Sequence, residues 1–340
     1  MHTPSPPLYP GYLTDVVGLE VGHATHPQRP TGCSVVIARQ GAVAGVDVRG
    51  AAPGTRETDL LAPANLVQQV HGLCLAGGSA WGLDAASGVM RWLEAQGIGL
   101  DTGASLVPIV PAAVVFDLGV GDGRIRPDAA LGYQACTQAT PEAGLQGNVG
   151  AGSGALVGKL FGMSLAMRGG LGSASLRVQG FTVAAMVVCN AVGDVLDPAT
   201  GQALAGARCD DGLHLRVSRD AMLRGELPER LLAGTNTTIG VVATDARLTK
   251  AQAQRLAQVS HDGLARASNP VHTMLDGDTL FALATGQTEQ RPDMLLLATL
   301  AAEVTARAVV NAVRAARRLQ LGGMDWPAAA DLASPAGSAP

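Results

Sequence analysis

Apolar positions along this chain fall into short runs separated by glycines, and their spacing changes from one run to the next. The runs SVVIA at 34–38 and AVAGVDVRG at 42–50 predict two strands. Residues 72–99, GLCLAGGSAWGLDAASGVMRWLEAQGIG, read as strand, glycine turn and helix. Leu83, Ala86, Val89, Met90 and Leu93 recur there at helical spacing. VPIVPAAVVFDLG at 107–119 predicts a buried strand region whose Pro108 and Pro111 limit its ladder partners. PDAALGYQACTQA at 127–139 predicts a short helix, and GNVGAGSGALVGKLFG at 147–162 a glycine-rich loop leading into a short element.

Residues 174–197 predict two strands joined near Gly180. A more polar, turn-rich stretch, 199–233, precedes a buried strand at Ile239–Ala243. Thr249 is the expected N-cap of a helix running through Leu256, Val259 and Leu264. DGDTLFALATG at 276–286 predicts loop and strand. A long helix is expected from Pro292 to about Leu319, with Glu303 and Arg307 paired at i,i+4 and Gly322 as its stop. Strands and helices interleave without a clean βαβ rhythm. A mixed sheet covered by helices is the expected α/β (α+β) architecture.

Composition adds limits. Of 340 residues, 47% are hydrophobic and 15% charged, so there is much to bury. The 44 glycines against 3% aromatics point to tight turns and close packing of elements rather than a core of large rings. A net charge of -4 with no basic block gives nucleic acid no electrostatic footprint. The five cysteines, Cys33, Cys74, Cys136, Cys189 and Cys209, form no CxxC pair and sit in apolar runs. Reduced thiols in a cytoplasmic protein are expected, without disulfides or a zinc site. The first residues lack the pattern of a signal peptide, and no stretch has the length of a membrane span without polar breaks. The final ASPAGSAP predicts a disordered tail.

Several motifs invite chemistry. The glycine-rich loop resembles a phosphate loop, but Ser153 stands where the first glycine belongs and Leu160 where the magnesium-binding hydroxyl belongs. GAGSGA at 150–155 fits G-x-G-x-x-A without a clear strand before it. A third reading has the glycines bring backbone close to a reacting centre and deliver Lys159 to it. No histidines form an HExxH pair, His23 and His26 stand near a proline turn, and no metal site is expected; no G-x-S-x-G elbow is present, and Ser79 at the GGSA turn reads as an N-cap. Asp276 and Asp278, at i and i+2, share one face if extended. A solvated turn is the alternative for an isolated DGD.

Asn236-Thr237 is the decisive pair. β-Branched residues opening a strand are its plain structural reading. Its functional reading is self-cleavage: Thr237 Oγ attacks the Asn236 carbonyl carbon, the peptide becomes an ester, and water releases Thr237 as a new N-terminus. A threonine hydroxyl is a poor nucleophile alone. An α-amine on the same residue, with a pKa of about 7.7–8.0, can act as its base.

Four stretches carry a family likeness: LAGGSAWGLDAASGVMRWLE, GNVGAGSGALVGK, NTTIGVVATDARLTKAQAQRLAQVSHDGLARA and PVHTMLDGDTLFALATG. From about Leu13 to about Leu321 the chain resembles the N-terminal-nucleophile hydrolases that include L-aminopeptidase/D-esterase (DmpA), the β-aminopeptidases and the nylon-oligomer endo-hydrolase. The resemblance implies a four-layer αββα sandwich of the DmpA/ornithine acetyltransferase type. Residues 13–323 would form one catalytic domain between an extension, 1–12, and a tail, 324–340. Cleavage would give chains 1–236 and 237–340. An oligomer, commonly a tetramer, and no metal or organic cofactor are also implied.

Carried across by motif, Thr237 is the nucleophile and Asn236-Thr237 the scissile bond. Asp276 and Asp278 would hold its hydroxyl or ammonium, and Lys159 would lower the cost of negative charge there. Asn190 would donate to an oxyanion. The chain departs from the β-aminopeptidases where an acidic and aromatic patch grips the substrate amine. Here that region offers Phe116, as a substrate contact, and only Asp117 as an acid. A pocket with few charges would suit neutral amides. The function implied is hydrolysis of small peptides or amides through an acyl-enzyme. Two alternatives stay open: an acyltransferase with an amine acceptor, as in ornithine acetyltransferase, and a ligand-binding or scaffold protein of this fold that never cuts itself.

Overall fold

The computed structural model describes residues 9–212, 214–226 and 236–332. The expected tail at 333–340, the first eight residues of the extension and residues 227–235 lie outside them.

Among the described residues, nine strands are joined by hydrogen bonds, eight of them in one path. They are β1 (Glu20–Thr25), β2 (Gly32–Val48), β3 (Thr55–Arg56), β4 (Val70–Ala76), β5 (Ala112–Val114), β6 (Gly170–Val178), β7 (Phe181–Asn190), β8 (Thr237–Thr244) and β9 (Thr279–Ala284). The order is β6-β7-β8-β9-β2-β4-β5-β3, with β1 also on β2. The two strands predicted at 34–38 and 42–50 are therefore one strand, β2. Its first part pairs with β1 and β4, its last part, 43–48, with β9, and its register against β4 shifts between Ile37 and Ala42. β2 thus belongs to two sheets, which fold over each other.

Period-two alternation explains the layers. On β7, Val183, Ala185, Val187 and Cys189 face one core, which contains Leu256, Val304 and Val309 of helices α4 (Lys250–Ala267) and α5 (Met294–Arg314). Ala184, Met186 and Val188 face a second core, shared with Val36, Leu73, Leu75 and Ala113 of the other sheet. On β2, Cys33, Val35 and Ile37 turn to a third core beneath α1 (Ala85–Ala95) and α2 (Ala129–Thr137); the short α3 (Ser218–Leu223) packs through Ala221 against Leu160 and Phe161. Helix, sheet, sheet and helix stack as four layers. Close approach explains the glycine content: on Gly172 of β6 a Cβ would stand 2.1 Å from the Ala308 carbonyl oxygen of α5.

Some boundaries differ from expectation. Thr249 does cap α4, in a capping box with Gln252. Helix α5, however, starts at Met294 behind the Asp293 cap and ends at Arg314. Past Arg314 the chain leaves the helix, and the Arg317 N–H turns to Asn148 Oδ1 at 2.7 Å. Gly322 is instead in the turn of a hairpin, Leu319–Leu321 with Met324–Trp326. By length and composition α5 is apolar enough to cross a membrane even with Glu303 and Arg307 in it, yet 61% of that stretch is buried inside the protein. Ser79 does not cap a helix: it sits at φ 54° with its N–H on the Val115 carbonyl, and α1 begins six residues later.

Candidate active site

The site lies where β7 ends and β8 begins. Asn190 and Thr237 are direct antiparallel partners. Their side chains therefore share a face, the one turned to the opposite sheet through Val188 and Ile239. Thr237-Thr238-Ile239 is β-branched throughout and suits an extended start. On its other side β8 runs parallel to β9, with Ile239 opposite Thr279. One step upstream, Asn236 forms a parallel bridge to Asp276, and its carbonyl accepts the Gly277 N–H at 3.0 Å. The acid motif is thus brought alongside the 236–237 peptide.

The Thr237 hydroxyl donates to the Asn236 carbonyl oxygen across that same peptide. A side chain at 277 has no room: a Cβ on Gly277 would stand 2.6 Å from the Ala52 carbonyl oxygen, with Thr237 Oγ1 at 3.0 Å. The two acids were expected to bind the hydroxyl or ammonium of Thr237. With the peptide intact, Thr237 offers an amide instead, and the carboxylates bond elsewhere. Asp278 Oδ1 accepts the Thr238 N–H at 2.7 Å and Oδ2 accepts from His272 Nδ1 at 2.8 Å. Asp276 Oδ2 accepts from the Thr273 N–H at 2.9 Å and its hydroxyl at 2.6 Å. Burial and the charge of Asp278 push the Asp276 carboxyl above its ordinary pKa.

Lys159 is buried, and burial lowers its pKa from the ordinary 10.5 to about 7, against the opposing pull of Asp276 and other nearby anions. Its Nζ donates to the Asn190 carbonyl at 2.9 Å. The turn that delivers it needs Gly158, at φ 71°, where a Cβ would stand 1.9 Å from the Gly206 carbonyl carbon. Asn190 ties three segments together: Oδ1 accepts the Leu156 N–H at 3.0 Å, and Nδ2 donates to the Phe116 carbonyl at 3.1 Å. Phe116 itself is half-buried beside the site, just past β5.

The structure thus gathers Asn236, Thr237, Asp276, Asp278, Lys159, Asn190 and Phe116. Asp117 is not part of a substrate patch. It is buried, paired to Arg29 at 2.9 Å, and accepts from Thr31 Oγ1 at 2.6 Å and from the Gly78 N–H at 2.8 Å. The phosphate-loop reading also fails on geometry. The Gly150 and Ala151 N–H groups are taken by Thr25 Oγ1 and Ser34 Oγ at 2.9 and 3.1 Å. Among the described residues no group of three or more His, Cys, Asp or Glu is placed to hold a metal. Sequence reasoning missed His272 and Thr273, although both lie within the same quoted stretch, PVHTMLDGDT. Their signal was proximity to the acids, which only a folded turn converts into contact.

A family profile described as peptidase family S58 matches residues 12–324. An uncharacterized aminopeptidase of Mycobacterium leprae is 48% identical over 296 residues, 82% of this chain and 79% of the relative. A 6-aminohexanoate-oligomer endohydrolase of Kocuria sp. is 33% identical over 275 residues, 80% of this chain and 74% of the relative. Among solved structures, the L-aminopeptidase D-Ala-esterase/amidase from Ochrobactrum anthropi, described as a variant of the Ntn hydrolase fold, is similar with a TM-score of 0.69 at 20% identity. That match covers 96% of this chain and 92% of the other. A Burkholderia sp. β-aminopeptidase gives 0.69 and 20%, covering 96% and 93%. The chain belongs to peptidase family S58, and it is a hydrolase with the N-terminal-nucleophile fold.

Proposed function

We propose that this protein is a self-processing amide hydrolase whose nucleophile is Thr237. One observation carries the reading: the Thr237 hydroxyl rests on the carbonyl of the very peptide it would cut, buried between Asn190 and the 276–278 turn. In the first step Thr237 Oγ bonds to the Asn236 carbonyl carbon as the C–N bond breaks. The hydroxyl proton ends on the freed nitrogen, and an ester joins the two halves. Water then splits the ester and leaves Thr237 with a free amine. In the second phase that amine takes the hydroxyl proton, Oγ attacks a substrate amide carbonyl, and the amine leaving group departs protonated. Water releases the acid from the acyl-enzyme.

Asn190 supplies the second hydrogen of its amide to the oxyanion, the first being engaged by the Phe116 carbonyl. Lys159, as the ammonium, offsets negative charge as it develops. Asp276 and Asp278 keep their Thr273 and Thr238 N–H donors through the cut and use their remaining acceptor capacity to hold the new ammonium and hydroxyl in register. Small peptides and neutral amides are the substrate class. The names of the relatives support this, as does the absence of Asp117 from the substrate side, with Phe116 as the apolar contact. The five free thiols support a reducing, cytoplasmic compartment, and we infer a homo-oligomer of the tetrameric kind.

The test is intact mass and N-terminal sequencing of wild type and Thr237→Ala after purification and incubation. Wild type yields a fragment that starts at Thr237, and the variant stays one chain. An uncut wild type would remove the mechanism.

A further inference from the structure

Each carboxylate oxygen of Asp278 holds a different part of the molecule. Oδ1 takes the Thr238 N–H, one residue into β8. Oδ2 takes two donors from one residue: the His272 main-chain N–H at 3.1 Å and its ring Nδ1–H at 2.8 Å. Nδ1 must carry a proton to donate to a carboxylate, so the contact sets the tautomer. His272 makes both bonds from a left-handed backbone, at φ 55°. Histidine enters that region more readily than most residues.

The ring is backed from the side. His261 of α4 meets it edge-on, with centroids 4.8 Å apart and planes at 68°. His261 is fully buried and donates from Nε2 to the Asp47 carbonyl at 3.0 Å. Burial lowers its pKa to about 4, so it stands as a neutral wall. The His272 ring is thus clamped between a carboxylate and an aromatic edge, at the root of the strand that begins with the nucleophile.

We propose that His272 is a positioning residue: through Nδ1–H it locks the Asp278 carboxylate, and through that carboxylate it fixes the first peptide groups of β8 and the aim of the Thr237 hydroxyl. This deepens the reading of Thr237 as nucleophile and rests on it. With the ring removed, Oδ2 keeps only the main-chain donor and the carboxylate can turn about its Cβ–Cγ bond. Thr238 N–H then loses a fixed partner. A misplacement of reacting atoms by about 1 Å costs on the order of 100-fold in rate.

The test uses His272→Gly and His272→Asn, since both residues tolerate φ 55°. Asparagine presents an N–H close to where Nδ1 stood, and glycine presents none. The readout is the time course of cleavage at 236–237 after cell-free synthesis, which needs no added substrate, together with the thermal midpoint. We expect the Gly variant to cleave about 10- to 100-fold more slowly and the Asn variant to recover most of the wild-type rate. A Gly variant as fast as wild type overturns the proposal. So does a pair slowed equally, in step with lowered midpoints, because that marks a structural role. Should the Gly variant not fold, His272→Asp replaces it: it matches asparagine in shape but brings an acceptor, and cleavage as fast as in the Asn variant overturns the proposal. A wild type that never cuts itself defeats the nucleophile reading, and this inference with it. A wild type that cuts, beside an unaffected Gly variant, defeats this inference alone.

Discussion

Asn190 joins three structural ties to a proposed role in the chemistry. Its oxygen holds the glycine-rich loop, its nitrogen holds the opposite sheet through Phe116, and its main-chain carbonyl holds Lys159. Asn190→Ala leaves the Leu156 N–H and the Phe116 carbonyl without this partner and, on the proposed mechanism, strips an oxyanion donor. Loss of one such donor costs about 100- to 1,000-fold in kcat, and a buried group left unsatisfied costs about 1–3 kcal/mol. Amide hydrolysis rates and a denaturation midpoint, measured on the same preparation, check both. A variant with a lowered midpoint and full activity would take Asn190 out of the chemistry. The candidate residues could be named from sequence because the threonine, the acids, the lysine and the asparagine all lie in recognisable stretches. Which donor meets which acceptor was not. The carboxylates of 276 and 278 answer to Thr273, His272 and Thr238 while the 236–237 bond is whole, and no spacing rule contains that.

Among the elements, the loop that ends in Lys159 carries the most constraint. Gly158→Ala would force a Cβ against the main chain of Gly206 and strain a backbone at φ 71°. We expect a lowered melting midpoint and impaired self-cleavage together, since Lys159 is the next residue. Self-cleavage at the wild-type rate would mean that the loop does not aim the lysine. In the core between the sheets, Phe281→Ala should cost about 3–5 kcal/mol, read from urea unfolding, because Phe281 is fully buried there. Strand and helix types were legible from their periods. The continuity of β2 was not. Its middle, Arg39-Gln40-Gly41, is polar and glycine-containing and reads as a turn, yet the strand passes through it at a register shift. The end of α5 was misread for a related reason: a glycine pair that looks like a helix stop belongs to a hairpin turn further on.

For the whole molecule, acidification should loosen the fold in a defined window. Burial lowers the pKa of His23 and of His261 from the ordinary 6.5 to about 4. The folded protein therefore holds these protons less tightly than the unfolded chain. Their neutral forms stabilise the fold fully above pH 6.5, and that stability is lost as pH falls toward 4. The thermal midpoint should drop over this range, and His23→Gln should flatten the drop. An equal drop in the variant would assign it to other groups. The four-layer stack was legible only through the family likeness, since period-two strands by themselves do not say which sheet they join.

Sheet order has a consequence for what the proposed cut can release. β8 and β9 follow the bond at 236–237, yet they lie between β7 and β2, both from before it. Severing the chain would leave two polypeptides woven through each other, with β8 and β9 of the smaller one completing the sheet whose β6, β7 and β2 come from the larger. Native electrophoresis should show one species where denaturing electrophoresis shows two. Mixing separately made halves should not restore the protein, because the middle strands need their neighbours in place while the sheet assembles.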